Sequence, residues 1–301
     1  VIRRTLDGVA LSSTQDALSH VTAVMVENNF ESWPLSGLDK ASVVYEALAE
    51  GRIPRFMALF PYGTEVEKLG PVRSARPYYL ELASPFNAVY MHVGGSPDAL
   101  AYLKKLDLID NDQFFWSQYF WRSSDRYAPH NVYTSSDLML KMYEEREIDT
   151  TGFYAGWKFD DSKELGVSYP YDIIVNYTDS TYQAKYIYNS ELDLYQRYQA
   201  KEPMELADGS LIFANTVIIQ EHAHQVLDAV GRRAIEIVGE GKVWIFAHGK
   251  VQEGVWKKDD VESLTRYYTT TGEEISINPG KIWINVVEKD SFELMQLDQA
   301  N

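Results

Sequence analysis

Two short runs concentrate the side chains with chemical potential. KLGPVRSARPYY (residues 68–79) carries Arg73 and Arg76, and WRSSDRYAPHN (residues 121–131) carries Arg122, Asp125, Arg126, His130 and Asn131. A guanidinium is always charged, planar and able to pair bidentately with carboxylate or phosphate, so four in two short runs predict a pocket for an anion. The competing reading is that they pair with the chain's own 44 acidic side chains. A free imidazole changes charge near neutral pH, so His130 is the candidate general acid or base, with Asp125 or Asn131 to fix its tautomer. A histidine simply hydrogen-bonded within its loop is the plainer alternative.

Other residues could complete such a site. Gly94-Gly95-Ser96 precedes a predicted helix start, where backbone N–H groups can cradle a phosphate; Asp98 in the first turn argues instead for a self-satisfied cap. His92 lies inside the apolar run VYMHV and either reaches the same pocket or is a satisfied core histidine. Glu46 and Glu50 are four apart on a predicted helix and Glu27 closes a predicted strand, so the three carboxylates could hold magnesium beside a bound phosphate, with Glu46 a further candidate for proton transfer. Solvated helix acids are the alternative. No metal-ligand set is assigned and no organic cofactor is expected. His222 and His224, two apart, lack a third ligand and are read as surface residues. Tyr182, Tyr186, Tyr188 and Tyr195 could stack on sugars, although alternating strand tyrosines usually belong to a sheet. Zinc-protease, nucleophile-elbow and nucleotide-binding patterns are missing.

These residues need elements to hold them. VTAVMVEN (21–28) and RFMALFPYG (55–63) read as strands, and LDKASVVYEALAEG (38–51) as a helix, with Ala41, Val44, Tyr45 and Leu48 at helical spacing. NAVYMHVGGSPDALAYLKKLDL (87–108) reads as strand, turn and helix, with Ser96 as cap and Pro97 in the first turn. Another helix is predicted from Ser135 to Arg146. Residues 147–168, rich in Gly, Thr, Ser and acids, read as a connection. Beyond it YDIIVNYT, TYQAKYIY, DLYQRYQA, SLIFANTVIIQ, RAIEIVG, KVWIFAHG, TRYYTTTG and KIWINVVE are short β-type runs. The expected class is α+β: an α/β domain with a mixed sheet and flanking helices over residues 1–150, then an antiparallel β-rich domain over residues 165–301.

Composition bounds the rest. The 301 residues are 45% hydrophobic, enough for two folded domains. A net charge of −16 argues against nucleic acid and against anionic membrane surfaces, which are held by a basic footprint. Zero cysteines exclude disulfides and thiolate chemistry. No run of 18 apolar residues is present, and the first residues do not read as a signal peptide.

The long matching strings VMVENN, SGLDKASVVYEALAEGRIPRFMALF, KLGPVRSARPYY, VYMHVGGSPDALAYLKK and FWRSSDRYAPHNVYTS resemble the amino-terminal domain of the YerB-like bacterial lipoproteins, a family of unknown function catalogued as DUF3048. GKVWIFAHGKVQEGVWKKDD and TRYYTTTGEEISINPGKIWINVV are similar to its carboxy-terminal domain. The resemblance implies an extracytoplasmic protein attached to the membrane only through a lipid anchor that this sequence lacks. More distantly, the order of strand, arginine-bearing segment, strand and GGSP helix resembles LytR-type phosphotransferases, which bind polyprenyl pyrophosphate through arginines.

Three functions are therefore expected to compete. One is a binder of an anionic or phosphorylated envelope glycan through Arg73, Arg76, Arg122 and Arg126. Another is a phosphotransferase or hydrolase acting on a lipid-linked pyrophosphate, which needs His130, Asp125 or Glu46 to converge on the arginines. The last is a scaffold for cell-wall synthesis proteins, with structural arginines.

Overall fold

A computed structural model describes residues 1–14, 16–162 and 164–294. The amino-terminal half contributes β1 (Val21–Val26), β2 (Val43–Leu48), β3 (Pro54–Pro61), β4 (Val89–His92) and β5 (Ile109–Asp112). Its helices are α1 (Pro77–Ala83), α2 (Pro97–Leu103) and α3 (Ser136–Glu145). As the sequence predicts, Ser96 caps α2, accepting from the N–H of Ala99, and α3 begins after Ser135, which accepts from the N–H of Leu138. Helix α1 and strand β5 are not anticipated; for α1 the available signal is Pro77 at its first position, where a missing N–H costs nothing.

The carboxy-terminal half adds β6 (Val167–Ser168), β7 (Ile173–Asn176), β8 (Gln183–Asn189), β9 (Leu194–Gln199), β10 (Thr216–His222), β11 (Gly239–Ala247), β12 (Lys250–Lys258) and β13 (Ile282–Glu288). Strands β7, β8 and β9 form the main part of a separate antiparallel sheet. The large sheet runs β6-β12-β11-β10-β13-β2-β3-β1-β4-β5 and so takes strands from both halves. β13 is the junction. It pairs in parallel with β10 on one side and with β2 on the other. The fold class is α+β as expected, with a mixed sheet at the amino-terminal end and antiparallel pairing through most of the remainder; β13 is the parallel exception.

Both faces of the large sheet are covered, which explains the one mistaken element. Residues 38–51 form no helix: a single 3₁₀ turn (Leu38–Lys40) leads into β2. Every residue of β2 is buried. Val44 and Leu48 pack on one side with Ile173, Ala184 and Tyr186 of the second sheet. Val43, Tyr45 and Ala47 pack on the other with Tyr78 and Leu80 of α1 and Leu103 of α2. A strand buried on two faces shows no alternation, and its apolar run can be read at helical spacing. Each large side chain taken out of water here contributes about 1.5–3 kcal/mol. Among the described residues no helix is long and apolar enough to cross a membrane.

Candidate functional site

Strands β1, β4 and β5 lie side by side and parallel. Glu27, His92 and Asp112 therefore fall together at the carboxyl ends of these strands, the edge of an open α/β sheet where ligands bind. The arginine-bearing segment crosses that edge. Val72 bridges to Val26 and donates its N–H to the Val132 carbonyl at 2.7 Å, while Arg73 N–H donates to the Met25 carbonyl at 2.9 Å. Farther along, Val93 donates to the Arg73 carbonyl at 3.1 Å and Ala75 to that of Gly94 at 2.9 Å. Gly70 makes this approach possible: its φ is +143°, and a Cβ there would lie 2.8 Å from the Val72 nitrogen and 2.9 Å from the Val132 oxygen.

The two arginine-bearing segments meet on one carboxylate. Glu27, almost wholly buried, has Oε1 3.1 Å from Arg73 Nε and Oε2 2.9 Å from His130 Nδ1. The other ring nitrogen of His130 lies 3.2 Å from Glu31 Oε2. Beside this chain Glu50 pairs with Arg76 and, at 3.4 Å, with Arg55, whose Nη1 also donates to the Ser74 carbonyl at 2.8 Å. Glu27, Asn28, Asn29, Glu50, Arg55 and Arg73 line a cleft of about 290 Å³, with Val230 from the carboxy-terminal half on its wall. Burial lowers the guanidinium pKa values of Arg73 and Arg76, and the like charge of Arg55 lowers them further, partly offset by Glu27 and Glu50 for Arg73 and by Glu50 for Arg76. Burial would raise the Glu50 pKa, but Arg55 and Arg76 outweigh it and hold the carboxyl below its ordinary range. Three guanidinium groups thus face two carboxylates, an excess of positive charge in a chain of net charge −16. The terminal nitrogens of Arg73 carry no hydrogen bond to another described residue.

The remaining predicted residues stand elsewhere or have other partners. Arg122 donates to Asn131 Oδ1 at 2.8 Å and to Gln113 Oε1 at 3.4 Å, and Arg126 to the carbonyls of Glu31 at 3.2 Å and Pro34 at 2.9 Å, so both meet neutral acceptors. Asp125 pairs with Ser123. The Gly94-Gly95-Ser96 turn is filled from within: Asp112 Oδ1 accepts the N–H of Gly94 at 2.8 Å and of Phe114 at 3.1 Å, and Ser96 caps α2. His92 is fully buried, its ring nitrogens 2.7 Å from the Gly94 carbonyl and 3.0 Å from Asp110.

Glu46 requires a correction. It shares no helix face with Glu50, because it sits in the middle of β2. Its oxygens accept from Arg197 of β9 at 2.8 and 3.0 Å, and Trp283 Nε1 of β13 donates to it at 2.9 Å. Burial raises its pKa against the pull of Arg197. Glu27, Glu46 and Glu50 thus have separate partners, and among the described residues no three ligating side chains are arranged to hold a metal ion. His222 is likewise no surface residue. It is buried, stacked on Trp256 with ring centroids 4.1 Å apart, and burial pushes its pKa down to about 4. Tyr182, Tyr186 and Tyr195 are buried in the core.

Sequence reasoning missed Arg55 and Arg197. Arg55 had a signal, a charge at the start of the otherwise apolar strand RFMALF. Arg197 had none, because its partner is 151 residues away in the chain.

A mixed sheet shared by both halves of the chain, with an arginine-lined cleft beside its antiparallel strands β1, β3 and β2, defines a two-part fold also found in other chains. Residues 6–149 match the domain described as "Protein of unknown function (DUF3048) N-terminal domain", and residues 173–284 match the corresponding C-terminal domain. The chain belongs to this family. It is 34% identical over 272 residues, 88% of its length and 80% of the relative's, to the Bacillus subtilis (strain 168) protein named "Putative lipoprotein YerB". The crystal structure of YerB from Bacillus subtilis superposes with a TM-score of 0.86 at 29% identity, covering 98% of this chain and 99% of that one.

Proposed function

We propose that this is an extracytoplasmic, lipid-anchored envelope protein whose cleft, at the carboxyl ends of β1 and β2 and the start of β3, holds an anionic group of an envelope component. The relative named "Putative lipoprotein YerB" supports this location. The observation that carries the binding reading is the side chain of Arg73: it lines the cleft, its Nε is engaged by Glu27, and its terminal nitrogens are left for a ligand. Arg55 and Arg76 stand behind it and add positive potential. Arg122 and Arg126 support the His130 loop rather than the cleft wall.

The test is thermal unfolding in phosphate, pyrophosphate and glucuronate, for the wild type and for Arg73→Ala. A ligand present at about 100 times its dissociation constant adds about 2.7 kcal/mol to the native state, so the melting temperature should rise clearly. The rise should vanish in Arg73→Ala, which should still fold because Glu27 keeps His130 as a partner. An anion that stabilises both proteins equally would place its site elsewhere, and no stabilisation by any anion would end the binding reading.

A further inference from the structure

The cleft is not simply basic. Of the four charged side chains lining it, the side chains of Arg73 and Glu50 are 24% and 20% exposed, against 9% for Arg55 and 4% for Glu27, so these two are what a ligand reaches. They feel each other's charge across the cleft, yet no ion pair joins them. Each oxygen of Glu50 accepts from one guanidinium and retains a further acceptor position. Asn28 and Asn29 line the same cleft. Asn28 is held in one orientation, because its Oδ1 accepts from Gln199 Nε2 at 2.7 Å and from Trp33 Nε1 at 2.9 Å.

A ligand bearing negative charge alone would meet Arg73 favourably and the carboxylates of Glu50 and Glu27 unfavourably. One that carries both signs satisfies the whole lining. We propose that the cleft binds a small zwitterion, an amino acid or short peptide, with its carboxylate on Arg73 and its ammonium on Glu50. The volume of about 290 Å³ suits a ligand of that size, near the lower end of small-molecule pockets. Val230 offers its side chain a patch of apolar wall. This inference rests on the reading that Arg73 holds an anion, and it narrows that anion to one with a cation attached.

The test is isothermal titration of the wild-type protein with alanyl-alanine, N-acetyl-alanyl-alanine and alanyl-alanine amide, with glucuronate and phosphate as anion controls. Blocking either end removes one charge-assisted contact, so the free dipeptide should bind at least about tenfold more tightly than either blocked form. Glu50→Gln should abolish the difference between the free and acetylated forms. Because that variant also loses a partner of Arg55 and Arg76, the ligand series on the wild type decides the matter without it. Equal affinity of the free and acetylated dipeptides, or binding of the anion controls with none of any dipeptide, overturns the zwitterion and leaves the anion site standing. Binding of nothing overturns both.

Discussion

Glu46 and Arg197 form the ion pair with the greatest consequence for stability. Both are fully buried, and they join β2 of the large sheet to β9 of the second one. Removing one partner from such a pair leaves a charge in the interior, which costs about 3–5 kcal/mol. Arg197→Met should therefore lower the unfolding free energy in urea by that amount. Its effect should depend on pH. Without Arg197 only the Trp283 hydrogen bond opposes the effect of burial on Glu46, so the carboxyl stays protonated in the folded chain above the ordinary value of 4.5 and ionises in the unfolded one. Such a raised pKa costs stability as pH rises above 4.5, so the deficit should shrink as pH falls toward that value. A deficit independent of pH would mean that packing, not charge, is what Arg197 supplies. At Arg73 the contrast is instructive: its own side chain is partly exposed and Glu27 keeps His130 as a second partner, so its substitution should cost less stability than Arg197→Met and register in ligand binding.

Among the elements, the end of β10 and the segment from Leu69 to Ala75 are open to direct test. His222 is buried with its pKa pushed down to about 4, so it resists protonation in the folded state and accepts it in the unfolded state near 6.5. Stability from this group is complete above pH 6.5 and is lost as pH falls toward 4, on the order of 3 kcal/mol in all. His224, pushed down to about 3, acts in the same direction. The melting temperature should thus decline through this range, and His222→Gln should flatten the decline. An unchanged slope in the variant would assign the acid sensitivity to other groups. In the arginine-bearing segment, Gly70→Ala would force a Cβ against the Val72 nitrogen and Val132 oxygen at a backbone angle that side chains rarely adopt. It should destabilise by about 1–3 kcal/mol and weaken anion binding without touching a charged residue, as urea unfolding and titration would show.

At the scale of the whole molecule, β13 ties the halves together. It supplies the partner of β2 along Val43–Ala47. A fragment of residues 1–150 would leave that edge of β2, apolar and unpaired, open to other chains. It should aggregate or unfold without cooperativity, while the full chain should show one transition in calorimetry. A soluble fragment with its own sharp transition would show that the amino-terminal sheet needs no partner strand.

The sequence by itself determined the local elements whose signals are short-range. The caps of α2 and α3, the strand runs of the carboxy-terminal half and the α+β class follow from cap chemistry and β-branched runs a few residues long. It also marked Arg73, Arg76 and His130 as worth following. Only the tertiary structure decided which charges meet. Glu46 left the site for the core because two-sided burial made its segment a strand and placed Arg197 opposite it. Arg122 and Arg126 turned to neutral acceptors, and Arg55 entered the cleft from β3. The Lys250–Lys258 strand, interrupted in pattern by Gln252, Glu253 and Gly254, is set instead by its hairpin with the adjacent β11 across His248-Gly249. The physical reason is that caps and turns are settled by neighbours in sequence, whereas the partner of a charge is settled by whatever side chain the fold brings opposite it, for Glu46 one 151 positions away.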